Sequence, residues 1–397
     1  MISNRLKMRI KILLIFCFFI AVQSSYAQKA KVIILGVGHS TQLINYNQQP
    51  AAIRAFIDKV KPSAICIERS PEEFSRNDFY EFTYEQQYTI IPYARKNKIP
   101  LHPIDWLPSD QDLDLAFGIK DLEIPKFTRQ KNGFLGFTTF TEKNAFEDGF
   151  YFADHKKHID SIASWYTSHP EKNAFDFPRR LFLYRTFLQS KRIQKVLENY
   201  SKSDTILVVI GAFHKNDIEK NLGQNGYEII QPNTFGTITD EEIRNHFIQE
   251  DAYAILSFNL LGMQYQLNKV NRKLIDFAFG HLKETNTVEK QFFMVKNASF
   301  TKAISSKQCI SEYLSLLDKV NDEKFTWTGV KDFSRVDSYF DPFGNLSLAK
   351  RIRLELAREY RKSSKEKEFT REIAIVLDGL NDYKKQMLSL YIEKYLF

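Results

Sequence analysis

Apolar and polar positions follow two regimes along this chain, and the regimes meet near residue 236. Before that point, short runs of consecutive apolar, largely β-branched residues recur at 31–35, 64–67, 101–104, 205–210 and 227–230. A run that is apolar at every position, rather than at every second one, fits a strand covered on both faces. Helical periodicity fills intervals such as 51–60 and 84–97. Strands alternating with helices predict an α/β fold with a mostly parallel sheet. Residues 109–200 hold no convincing strand; long, aromatic-rich and charged, they predict a helical insertion between sheet strands, able to serve as a lid. After residue 236 the spacing through 252–267, 274–282 and 348–361 is helical, so a mainly α C-terminal region follows.

The strand ends carry the candidate chemistry. Val32-Ile-Ile-Leu-Gly36-Val-Gly38-His39 and Leu207-Val-Val-Ile-Gly211-Ala-Phe-His214 both read as strand, glycine, two residues, histidine. With 15 Gly and 8 His in 397 residues, one Gly-x-x-His means nothing; two, each directly behind an apolar strand, are much less easily accidental. In an open parallel sheet, ligands bind in the crevice beyond the carboxyl ends of the strands, so both imidazoles are placed there. Glycine at a strand end permits close approach and unusual dihedrals. The second strand closes with Glu68-Arg69 at the same edge. Two imidazoles and a carboxylate match either a first-row divalent metal site with an open position, held by His39, Glu68 and His214, or a metal-free set that activates water. The plainer alternative has both histidines bonding strand-end backbone while Glu68 pairs with Arg69.

The early Gly36-x-x-His39, the Glu68-Arg69 pair and the late Gly211-x-x-His214 resemble the TraB/Tiki/erythromycin-esterase-like superfamily, over roughly residues 30–232 and closest to a branch of exported bacterial proteins. The resemblance implies an α/β fold with pseudo-repeated halves and a site of both histidines and the glutamate. It implies hydrolysis of acyl bonds, ester or peptide, with His39, Glu68 and His214 catalytic, either without a cofactor or with one divalent metal such as Zn, Mn or Co. The same superfamily contains a non-catalytic haem-binding group, which leaves a haem or small-ligand binder, or a degenerate inactive member, as alternatives. An arginine upstream of the late motif is also implied. Arg185 and Arg192 are the candidates, although neither lies in the Arg-Asn setting that the family pattern has.

Remaining polar residues weigh less. Asp105, closing the third strand, is placed to orient a histidine. His155 and His158 lie three apart on a helix, but Lys156 and Lys157 between them indicate a solvated face. His102, beside Pro103, reads as structural. The charged run from Lys350 to Arg371 is interleaved with acids, and pairs such as Arg351 and Glu355 at helical spacing predict a solvated helix face. Walker loops, the Gly-x-Ser-x-Gly elbow and His-Glu-x-x-His are absent from the sequence.

The N-terminus carries Arg5, Lys7, Arg9 and Lys11, an apolar run from Ile12 to Val22, and Ser25-Tyr26-Ala27. This reads as a signal peptide cleaved near Ala27, too short to span a bilayer, and predicts an exported, periplasmic or secreted protein. Cys17, inside the apolar run behind Phe16, does not read as a lipidation site. Removal of the leader takes the formal charge from +8 to +4, which gives no reason to expect a nucleic-acid partner. A small-molecule or peptide substrate is the expected partner. Cys66 and Cys309 remain, the first in a buried strand as a small hydrophobe. The domain reading is leader 1–27, α/β domain 28–235 and helical region 236–397.

Overall fold

The computed structural model describes residues 29–109, 111, 137–167, 176–321 and 323–396. The leader and residues 110, 112–136 and 168–175 of the expected insertion lie outside them. Five strands, β1 (Lys31–Val37), β2 (Ala64–Ile67), β3 (Leu101–Pro103), β4 (Thr205–Gly211) and β5 (Glu228–Ile230), form one sheet. Their order is β3-β2-β4-β1-β5 and every pairing is parallel. Each falls on one of the five apolar runs. The two strands with a Gly-x-x-His ending are therefore neighbours, paired from Lys31 with Thr205 to Val37 with Gly211, and β2 lies on the far side of β4.

Consecutive apolar residues are needed because both faces are covered. Ile33, Leu35, Val37, Ile65, Ile67, Leu207 and Val209 face α1 (Pro50–Val60) and α3 (Ile91–Lys96). Val32, Ile34, Cys66, Ile206, Val208 and Ile210 face the long helix α6 (Asp176–Leu197) and α7 (Ala212–Gln224). Between β2 and α3 lie α2 (Pro71–Arg76), capped by Ser70, and a π-helical turn at Glu85–Ile90. The inserted stretch between β3 and β4 contributes α4 (Lys143–Glu147) and α5 (Lys156–Thr167) ahead of α6, with no strand among its described residues.

Beyond β5 the described chain is mainly helical, from α8 (Asp240–His246) and α9 (Gln249–Leu256) through α10 (Met263–Gln266), α11 (Arg272–His281), α12 (Val288–Phe300) and α13 (Ser306–Leu317), then an irregular stretch, to α14 (Leu348–Lys362), α15 (Glu366–Leu377) and α16 (Asp382–Tyr395). Its main core is shared with the first half of the chain: Leu43, Ile44, Tyr46, Ala51, Ala52 and Tyr84 pack with Tyr253, Phe258, Trp327, Phe340 and Ile352. Hydrophobic burial thus runs across residue 236.

The solvated face expected between Lys350 and Arg371 holds from Arg361 onward, where the charged residues are largely exposed, but needs correction before it. Arg351 and Glu355 do meet at helical spacing, at 3.4 Å, but both are buried, and Glu355 also receives Lys296 at 2.6 Å and Arg358 at 3.1 Å. Interleaved charge of this kind reads as solvated from sequence because the partner, Lys296 on α12, lies far away in the chain. Cys66 and Cys309 are both free and buried, and burial pushes the Cys66 thiol up to about 12. No helix among the described residues is long and apolar enough to cross a membrane.

Candidate active site

Three strand ends converge. β1 runs out at Val37, and Gly38 leads into a 3-10 turn, His39–Leu43. His39 itself has φ +52°, a left-handed backbone that costs a residue with a side chain about 1 kcal/mol. That strain aims the imidazole back across the sheet. Its Nε2 lies 3.7 Å from Glu68 Oε2, and His214 Nε2 lies 3.6 Å from Glu68 Oε1. Glu68 and His214 are buried.

The glycines act through space rather than through dihedrals, which corrects one expectation: none of Gly36, Gly38 and Gly211 has positive φ. A Cβ on Gly211 would stand 2.6 Å from His39 Nε2 and 3.3 Å from Glu68 Oε2. β4 separates β1 from β2, so the two side chains meet only across a residue that has none. The Gly211 N–H also donates to Glu68 Oε2 at 2.5 Å. Gly36 admits Ala153 and Lys215, and at Gly38 a Cβ would collide with the Thr41 hydroxyl.

The histidine tautomers follow from the bonds on the far side of each ring. Thr186 gives its one hydroxyl hydrogen to the Phe182 carbonyl at 2.9 Å, so at 2.6 Å from His214 Nδ1 its oxygen accepts. Nδ1 then carries the proton, and the lone pair of Nε2 faces Glu68. Phe182 stacks on the ring at 4.6 Å between centroids. His39 Nδ1 donates at 2.9 Å to Glu85, a carboxylate that accepts only.

Arg185 closes the group. Its Nη2 donates to Glu68 Oε1 at 3.0 Å, and Nε and Nη2 hold Asp105 at 2.8 and 2.6 Å. Of the two arginine candidates, Arg185 joins the site while Arg192 binds the Asp105 backbone carbonyl. Asp105 orients this arginine, not a histidine as expected, with Gln189 Nε2 at 2.7 Å assisting. Arg69 does not pair with Glu68: its guanidinium is buried, has no hydrogen bond among the described residues, and lies 5.4 Å from the Phe79 ring. The plainer sequence alternative thus loses its ion pair. His155 is exposed, His158 packs on Phe152 and Phe213, and His102 bonds the Tyr200 hydroxyl at 2.7 Å.

No known family model, curated protein or solved structure matches the chain.

The geometry therefore carries the reading. Glu85, Gln86, Gln42 and Thr186 were not foreseen. Gln86 ties the site's floor together, accepting from the Glu68 N–H at 3.3 Å and donating to the Val209 carbonyl at 3.3 Å and to Glu85 at 2.9 Å. For Glu85 and Gln86 the signal in the sequence, polar residues in the first turn of an otherwise amphipathic helix, is the usual one for a solvated helix end; Gln42, in the turn after β1, and Thr186, in the middle of α6, carry no signal of their own.

Electrostatics separates the two histidines. Burial pushes His39 down, but Glu85 and Glu68 outweigh it and the imidazole stands at about 9. Burial, with Arg185 and His39 adding to it, holds His214 well below its ordinary value. Burial raises Glu68, opposed by His39 and Arg185. Arg185 is raised further, burial being outweighed by Asp105, and stays cationic.

Two imidazoles and a carboxylate are donors a divalent ion accepts, but the Arg185 guanidinium, 3.0 Å from Glu68 Oε1, places a fixed positive charge beside any cation bound there and opposes one. Among the described residues no group of three or more His, Cys, Asp or Glu is disposed to hold a metal.

Proposed function

We propose that the chain is a hydrolase of acyl bonds, ester or peptide, that works without a metal. The observation that carries this is Glu68 lying between two imidazole Nε2 atoms, at 3.7 and 3.6 Å, with a guanidinium on the same carboxylate; its neighbours push the two imidazoles apart, His39 upward and His214 downward. Environments that push two titrating groups apart assign base and acid. Water held near Glu68 gives a proton to the lone pair of His214 Nε2 while its oxygen bonds to the substrate carbonyl carbon. The carbonyl electron pair moves onto oxygen, facing Arg185, whose Nη1 has no hydrogen bond among the described residues. When the tetrahedral species collapses, the leaving alkoxide or amine takes the proton of His39 Nε2. The proton on His214 then returns to His39 through solvent. Glu68 stays an anion that orients water and balances the imidazolium.

The resemblance in the two Gly-x-x-His motifs and Glu68 supports this reading, and export directed by the leader expected at residues 1–27 belongs to the same proposal. The test is turnover of a p-nitrophenyl ester series and a mixed peptide library by the full mature chain dialysed against chelator. Glu68→Gln should lower kcat by roughly 10²-fold or more, with no gain from added zinc or manganese. Activity that returns only with metal would overturn the metal-free chemistry. No turnover with any probe, together with a haem absorption band on titration, would favour the binding alternative.

A further inference from the structure

We infer that Glu85 is the positioning residue for His39, its carboxylate holding the imidazole by Nδ1 so that Nε2 is turned to Glu68. The inference deepens the hydrolase reading and rests on it for its catalytic consequence. Glu85 is fully buried at the start of the π-helical turn. In a regular helix, adjacent side chains diverge by about 100°; here Glu85 and Gln86 both reach the strand ends, and π bulges are frequent at functional sites. His39, at 2.9 Å, is the only cation in ion-pair reach of Glu85 among the described residues.

The rest of its shell consists of donors. Gln86 Nε2 lies at 2.9 Å and Gln42 Nε2 at 3.5 Å, so with the imidazole three N–H groups point at an acceptor that has no hydrogen of its own. A carboxylate is complementary to that arrangement and an amide is not. The groups facing His39 come from three elements: Glu85 from the π turn, Glu68 from the end of β2 and Arg185 from α6. Phe82 adds an edge contact at 5.3 Å. Only Glu85 is within hydrogen-bond distance of a ring nitrogen, and it therefore selects which nitrogen keeps the last proton.

A purely structural Glu85, satisfied by its two glutamines, would leave the imidazole indifferent to its charge. The two cases separate in Glu85→Gln, whose NH2 can donate to Nδ1 and so move the proton to Nε2. The experiment follows the His39 ¹⁵N resonances of the full mature chain from pH 7 to 10.5, in wild type and in Glu85→Gln. The expected result is a neutral wild-type ring that keeps Nδ1–H and a variant ring that keeps Nε2–H. On the ester series the variant should lose roughly 10²-fold in kcat with KM unchanged, and Glu85→Asp should recover part of it. A wild-type ring with Nε2–H overturns the inference even if no variant folds, as does an unchanged tautomer in Glu85→Gln. If no acyl substrate is turned over, the resonances still decide the role of Glu85; if they fail while turnover stands, the hydrolase reading survives without it.

Discussion

Gly211 lies beneath the two side chains it serves, and a methyl in place of one of its α hydrogens would be felt by both. Gly211→Ala puts a methyl 2.6 Å from His39 Nε2 and 3.3 Å from Glu68 Oε2, so the imidazole must leave. With φ at −51° the backbone accepts alanine without strain. The expected outcome is lost turnover with a folded chain, checked by near-ultraviolet circular dichroism beside the ester assay. The histidines make a second prediction through pH. His39 is raised from 6.5 to about 9, so the stability it contributes is complete below 6.5 and is lost as pH climbs through 9. It amounts to at most about 3 kcal/mol. Urea midpoints from pH 6 to 9.5 should fall in wild type and flatten in His39→Asn, asparagine being a residue that tolerates positive φ. His214 has the opposite sign: held neutral, it removes stability as pH drops below 6.5. His39, Glu68 and His214 were legible in the sequence because each ends an apolar run. The left-handed backbone at His39 was not, since three glycines nearby drew the expectation of unusual dihedrals to themselves.

At the scale of elements, α6 does the work that no motif announced. Arg185, Thr186, Gln189 and Arg192 occupy one side of it, binding Glu68, His214 and Asp105 in turn. A helix whose polar residues serve a buried site, while Tyr184 and Phe187 stay exposed, inverts the usual amphipathic pattern, which is why sequence periodicity offered two arginines without choosing. Asp105→Asn should destabilise by about 2–3 kcal/mol in urea unfolding, because it leaves the half-buried Arg185 with one anionic partner instead of two. Arg192→Gln, which removes a bond to a carbonyl only, should cost about 1 kcal/mol. An Asp105→Asn variant as stable as wild type would show that Asp105 acts through its backbone alone.

Across the whole molecule, the segment that holds His39 is itself held by the C-terminal half. Glu81 accepts the backbone N–H groups of Lys331 at 2.7 Å and Tyr339 at 3.0 Å, and Tyr80 meets the Tyr339 hydroxyl at 3.1 Å. Phe82 lies between His39 and Tyr339, with ring centroids at 5.3 and 6.0 Å. A chain ending at residue 235 would expose Leu43, Ile44, Tyr46 and Tyr84 to water. It should bind a hydrophobic dye and unfold without a cooperative transition; a sharp transition in that fragment would show the first half to be self-sufficient. The shift from strand to helix near residue 236 was plain in the pattern, whereas the core crossing it was not, because periodicity reports which face is apolar and never what covers it. The same clamp has a consequence in time. Glu81 and Tyr339 are 258 residues apart, so on a ribosome every strand has been synthesised long before the contact that seats Phe82 can form. A nascent chain that has emerged only as far as the fifth strand carries His39, Glu68 and His214 but lacks the support behind the first of them, and its chemistry waits for the last third of its own sequence.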